Sequence, residues 1–277
     1  MRNKLFIIIT TLLLVSCWDK KNNTQQTGEP TDSVECTEDV LFTTSSYNQK
    51  KKLSDGEYPN YTIDIQVQCA KGESKAAQNI NKQLATLLFG TNTMPFEEAQ
   101  KFFTDSLTDS FEKELKEFYE PDNEYKETFA YEYSQKGTVS DKSPEGIIAY
   151  TSRIETYTGG AHGGALESFI NFHKNTGLKI SAQELFGENT DAVAKLVKEQ
   201  IVKDNDCKSA AELEEKRSIF SLGDVYISDN NFLIQNDGIL FCFNPYEIAP
   251  WSEGFIYTTL TYKQLEGMVS ANFKLNK

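Results

Sequence analysis

Three rhythms of hydrophobic and polar residues follow one another along this chain. The first is an unbroken apolar run from Leu5 to Val15, interrupted only by Thr10 and Thr11. Lys20 to Ser33 (KKNNTQQTGEPTDS) then holds no large apolar residue, and a segment with nothing to bury is expected to stay an extended tether. The second rhythm has period two: Ile63, Ile65 and Val67 share one face of YTIDIQVQC (Tyr61 to Cys69), which predicts a half-buried strand. The third is helical. Ile80, Leu84, Leu87 and Leu88 predict a helix that stops at Gly90, and Pro95 opens a longer one with Phe96, Ala99, Phe103, Leu107, Phe111, Leu115 and Phe118 on one face. Glu98, Asp105, Asp109, Glu112 and Lys116 on its other face are expected to meet solvent.

From Tyr125 the period returns to two. ETFAYEYSQ, GIIAYTSRIETYTGG and ALESFINFH predict three strands, and KNTG (Lys174 to Gly177) predicts a hairpin continuing through Leu178 and Ile180. Ser181 and Glu184 have the spacing of a capping box and announce a short helix. NTDAVAKLVKEQIVK and AAELEEKRS predict two more helices, Asp237-Gly238 turns one late strand into the next, and Gly254 precedes another. The expected class is α+β, with antiparallel sheets, helices packed on one face and a two-part architecture.

Arg2 and Lys4 before the apolar run mark a signal peptide over residues 1–16, because a run of eleven residues falls short of the roughly 20 that span a membrane. LVSC ends the run like a lipobox, so Cys17 is the expected lipidation site and 17–33 the lipidated tether. Several acyl chains on one cysteine would anchor the protein stably to the membrane, where a single chain binds marginally. Removing the signal takes away two basic residues and leaves 26 basic against 41 acidic, a formal charge of −15. That charge disfavours nucleic acid and favours a basic partner. WDKKN after Cys17 lacks an acidic export run, so the expected location is the outer membrane, facing the periplasm.

Cys36, Cys69, Cys207 and Cys242 remain after lipidation. They are free buried thiols or bridges; Cys36 with Cys69 and Cys207 with Cys242 is the favoured pairing, each within one half of the chain. Cys242, inside LFCFN, equally suits a core position.

YTGGAHGG (Tyr157 to Gly164) sets four glycines around His162, one of two histidines in the chain. Neither His162 nor His173 has a zinc-ligand spacing, and the chain has no G-x-S-x-G elbow, P-loop or dinucleotide fingerprint. No metal and no cofactor is expected. Accidental carboxylate pairs keep a hydrolase open as a third reading. Tyr246, Pro250 and Trp251 in YEIAPWSEG could line an interface or staple a loop.

YTGGAH, NTGLKIS, LF at Leu185 and DGILFCFNPYEIAPWSEG (Asp237 to Gly254) occur in that order. In this the chain resembles the RsiV-like extracellular domains of lysozyme-sensing anti-sigma factors and the non-catalytic N-terminal region of PdaC-type polysaccharide deacetylases. The resemblance implies a companion α+β domain over 34–149, an RsiV-like C-terminal α+β domain over 150–277, and a module that binds lysozyme. Neither a sigma-binding part nor a deacetylase domain accompanies it. The expectation is a lipid-anchored envelope binding protein, not an enzyme, that holds lysozyme or another basic protein. A glycan or peptidoglycan receptor is the alternative. The ligand-binding candidates are Tyr157, Gly159, Gly160, His162, Tyr246 and Trp251.

Overall fold

Residues 39–219, 222–273 and 275 are described by the computed structural model. The signal segment, Cys17, the tether and Cys36 lie outside these residues. Residues 39–277 group as one compact unit.

A five-stranded sheet forms in the order β1 (Phe42–Lys52), β2 (Asn60–Ala70), β3 (Ala130–Val139), β4 (Ile147–Tyr157), β5 (Gly164–His173). The pairs β1/β2, β3/β4 and β4/β5 are antiparallel. By contrast β2 and β3 run parallel, because α1 (Lys75–Phe89) and α2 (Phe96–Phe118) connect them and a helical crossover returns the chain in its original direction. Ser74 caps α1 by accepting from Ala77 N–H, and Gly90 ends it in the left-handed conformation.

Both helices cover one face of this sheet. Ile80, Leu84 and Leu88 of α1 and Phe111 and Leu115 of α2 pack with Tyr61, Ile63, Ile65, Val67, Tyr131, Tyr133, Ile148, Tyr150, Ile170 and Phe172. Each buried aliphatic side chain there contributes roughly 1.5–3 kcal/mol.

After β5 the chain forms α3 (Ala182–Phe186), α4 (Thr190–Asp204) and α5 (Ala210–Arg217), then a second, antiparallel sheet of β6 (Phe232–Gln235), β7 (Gly238–Phe243) and β8 (Ile256–Thr261). Ile234, Ile239, Phe241 and Phe243 on one face of it meet Val193, Val197 and Ile201 of α4. Its other face puts Leu233 and Cys242 against Ala149 and Phe169 of the first sheet. The α+β class, with sheets antiparallel except for the β2/β3 pair and helices on one face of each, is thereby borne out.

Several details depart from the sequence pattern. β1 was not expected: its FTTSSYNQKKK is mostly polar, as suits an edge strand whose outer end carries three lysines against stray pairing. Leu178 to Ile180 makes a single bridge, Phe172 with Lys179, in place of a hairpin arm. Phe118 stays 47% exposed at the end of its helical stripe. Glu112 is no free surface charge. Its side chain is 18% exposed, paired with Lys51 and with Lys116 at 2.9 Å, and it accepts from the Tyr61 hydroxyl at 3.1 Å. The expected Cys207–Cys242 bridge is corrected: both are free buried thiols, one after α4 and the other in β7. Cys69 is also a free buried thiol. The domain boundary expected at residue 149 falls inside β4.

Candidate binding site

β4 and β5 are joined by residues 158–163, the glycine-rich stretch. Gly163 is required by packing, since a Cβ there would stand 2.3 Å from the Thr156 carbonyl oxygen. Gly160 is required by conformation, with φ of +92°. The Tyr157 hydroxyl donates to the Gly160 carbonyl at 3.1 Å and braces the loop from within. Gly159 also takes a positive φ and is half-buried.

His162 is exposed at the tip. Its Nδ1 lies 2.8 Å from the Gly163 carbonyl, which can only accept, so Nδ1 carries the proton and Nε2 of the neutral ring accepts from the Tyr246 hydroxyl at 3.2 Å. The imidazole stacks on Trp251 with centroids 4.8 Å apart and planes 11° from parallel. Tyr246 and Trp251 stand 6.3 Å apart. Three of the six sequence candidates therefore form one cluster of rings, contributed by two loops 84 positions apart. Tyr157, Gly159 and Gly160 shape the loop that presents it.

Tyr246 is 63% exposed and holds a φ of +73°, unusual for a residue with a side chain. Its backbone N–H donates to Ala249 and that of Glu247 to Asn244, closing a tight turn. Asn244 fixes this turn to the first sheet. Its carboxamide oxygen accepts from Glu167 N–H at 2.7 Å and its amide donates to the Glu167 carbonyl at 3.1 Å. Glu247 accepts from the Asn244 N–H at 2.8 Å. Burial pushes the Glu247 carboxyl above the usual carboxylate range, and the bonds from Asn244 oppose the shift.

Beside the rings runs a groove of about 480 Å³, lined on one side by Arg153, Glu155 and Gly163 to Ala165 and on the other by Trp251 to Phe255. Arg153 lies over the Phe255 ring, 4.5 Å from its centroid, and binds Glu155 through Nη2 at 2.8 Å. Behind it Glu167 is 8% exposed and accepts from the Tyr257 hydroxyl at 3.0 Å. Burial raises its pKa, while Tyr257 and Arg153 pull it down. Arg217 pairs with Glu253 at 3.2 Å on the opposite wall.

Sequence reasoning missed Arg153, Glu167, Asn244 and Tyr257, which look like ordinary strand and loop residues until the two sheets meet. The signal that could have found them is polarity inside apolar strands. Among the described residues, no group of three His, Cys, Asp or Glu could hold a metal ion. His173, the other histidine, pairs with Glu184 at 2.7 Å and lies in no cluster with His162. Glu184 therefore leaves the capping box half formed, with Ser181 alone capping α3.

The fold has relatives among solved structures. A DUF3298 family member from Bacteroides fragilis NCTC 9343 aligns with a TM-score of 0.75 at 22% identity, covering 85% of this chain and 96% of that one. A DUF3298 family protein from Pseudomonas aeruginosa PAO1 aligns with a TM-score of 0.58 at 16% identity, covering 85% and 97%. These likenesses are of fold. No curated protein matches the chain. In sequence, residues 53–165 match the family described as deacetylase PdaC, and residues 183–263 match DUF3298, described as a protein of unknown function.

Proposed function

We propose that this chain is a lipid-anchored cell-envelope receptor that holds a basic protein, a lysozyme foremost, without turning it over. The observation that carries this reading is the cluster of His162, Tyr246 and Trp251 on two loops braced by Asn244. Tyrosine and tryptophan rings held in place at a surface, here an exposed Tyr246 and a half-buried Trp251, are frequent anchors of binding interfaces. Glu155 and Glu253 border the cluster, and the mature charge of −15 would steer a basic partner toward it. Both family matches fit an envelope protein.

Binding without catalysis accounts better for the histidine. Its Nδ1 is committed to a backbone carbonyl and its Nε2 to a tyrosine hydroxyl, and among the described residues no carboxylate is bonded to either. Anchoring rests on the signal-like run and Cys17. The pair Tyr246→Ala and Trp251→Ala tests the site: each removes a ring without touching the sheet, and each is expected to weaken lysozyme binding tenfold or more with an unchanged melting temperature. Full binding by both variants would contradict the reading.

A further inference from the structure

β5 is the last strand of its sheet, so one of its edges faces away from β4. Backbone groups alternate in direction along a strand, and in β5 the odd-numbered residues point outward. Glu167 is capped on this edge by Asn244, Phe169 N–H by the Asn230 carbonyl, the Asn171 carbonyl by Ile180 N–H, and His173 N–H by the Leu178 carbonyl. Ala165 has the same parity, yet among the described residues nothing caps its N–H or C=O. Gly163, just before the strand, has its carbonyl taken by His162. Among the described residues Ala165 is therefore the outward residue of β5 with neither backbone group taken, and it lines the groove between Arg153 and Trp251.

An uncapped edge in a cleft of this volume, within the roughly 300–1,000 Å³ of ordinary binding sites, suits one added strand. The cleft's charges favour a cation. Glu155 and Glu253 line it with Glu167 behind, against Arg153 and Arg217, which leaves one carboxylate in excess. Arg153 uses a single oxygen of Glu155, so the second, Oε2, is available on a side chain 55% exposed.

We propose that the open position of β5 at Ala165 docks an extended peptide segment of the partner, which pairs with the Ala165 backbone and sets a lysine or arginine between Glu155 and Glu253. The choice of a basic residue rests on the receptor reading above; the edge pairing does not.

The test uses residues 18–277, labelled with nitrogen-15, and two capped pentapeptides, Thr-Val-Lys-Val-Thr and Thr-Val-Glu-Val-Thr. At saturation the lysine peptide is expected to move the Ala165 amide resonance and slow its hydrogen exchange at least tenfold. The glutamate peptide should bind at least tenfold more weakly. Ala165→Pro removes the outward N–H without touching the β4 ladder, which an edge tolerates, and should lower lysine-peptide affinity tenfold or more. Glu155→Lys, a surface change, is expected to do the same should the proline variant fail to fold. No binding of either peptide, equal binding of both, or full binding by the variants would overturn the proposal. Titrating lysozyme into the unaltered chain separates the two readings: lysozyme binding with no effect at Ala165 contradicts the docking strand alone, and peptide docking without lysozyme binding contradicts the lysozyme reading alone.

Discussion

Asn244 and Glu167 are joined as neighbouring strands would be, one side chain answering both backbone groups of one residue at 2.7 and 3.1 Å. Asn171 does the equivalent 61 positions from its partner, donating to the Phe232 carbonyl and accepting from Ile234 N–H, with its side chain fully buried. Asn244 caps the edge of β5 at Glu167 and Asn171 caps the edge of β6, and together they tie the two sheets. A buried polar group is tolerated only when its bonds are made, and removing one partner leaves the other's groups unsatisfied.

Asn244→Ala is accordingly expected to destabilise the fold by about 2 kcal/mol, since two Glu167 backbone groups lose their partners. It should also loosen the Tyr246 turn, which hangs from the same residue. Urea unfolding followed by tryptophan fluorescence measures both effects. A loss below about 0.5 kcal/mol, within the range of ordinary surface substitutions, would show that the edge is sealed by other means.

The strands and helices were legible because burial imposes its period on the sequence. Ile63, Ile65 and Val67 alternate because one face of β2 meets α1 and α2. β1 carried no such period; an edge strand with one neighbour needs few apolar residues, and Lys50 to Lys52 disguise it as a loop. The ring candidates were legible in part. His162, Tyr246 and Trp251 lie in loops rich in glycine and proline, where aromatic residues stand out. Arg153 and Glu167 were not, because their pairing needs the register of β4 against β5, and Tyr257 was not, because it reaches Glu167 from 90 positions away only once the two sheets meet. Cys207 and Cys242 lay in one half of the chain, yet pairing needs side chains that meet, and α4 and β7 do not bring them together.

Glu112 gives the protein an acid-sensitive joint. The hydrogen bond from Lys116, then that from Lys51, holds its carboxyl at about 2, below the usual 4.5. A carboxylate depressed in the folded state stabilises the fold above its unfolded pKa and loses that contribution as pH falls toward its folded value. Stability should therefore decline between about pH 4.5 and pH 2, and Glu112→Gln should flatten that part of the curve. Melting temperatures of both proteins across this window check it; parallel curves would refute the assignment.

At the glycine loop, Gly163→Val is expected to cost several kcal/mol because its Cβ has no room beside Thr156. Gly160→Val meets no atom but keeps the strain of φ +92°, so about 1 kcal/mol is expected. His162→Ala, exposed at the tip, should change stability by less than either. Thermal unfolding of the three variants ranks them, and a larger loss from His162→Ala than from the glycine variants would mean that the loop is held by its histidine.

The anchor has its own test. Cys17→Ala should leave the protein without lipid label, since the thiol that would carry the acyl chains is gone. Retention of label by the variant would end the lipoprotein reading.

Calorimetry of residues 18–277 against an animal-type lysozyme, at 0.15 M and 0.5 M salt, bears most directly on the central claim. Between those conditions the Debye length falls to roughly half, so a purely diffuse attraction to a −15 chain should fade. A site built on His162, Tyr246 and Trp251 keeps a desolvated centre and should still bind at high salt, while a basic protein of similar size without lysozyme structure should not. Equal binding of lysozyme and the control, or binding of neither at both salt concentrations, would contradict the account and turn attention to a glycan ligand.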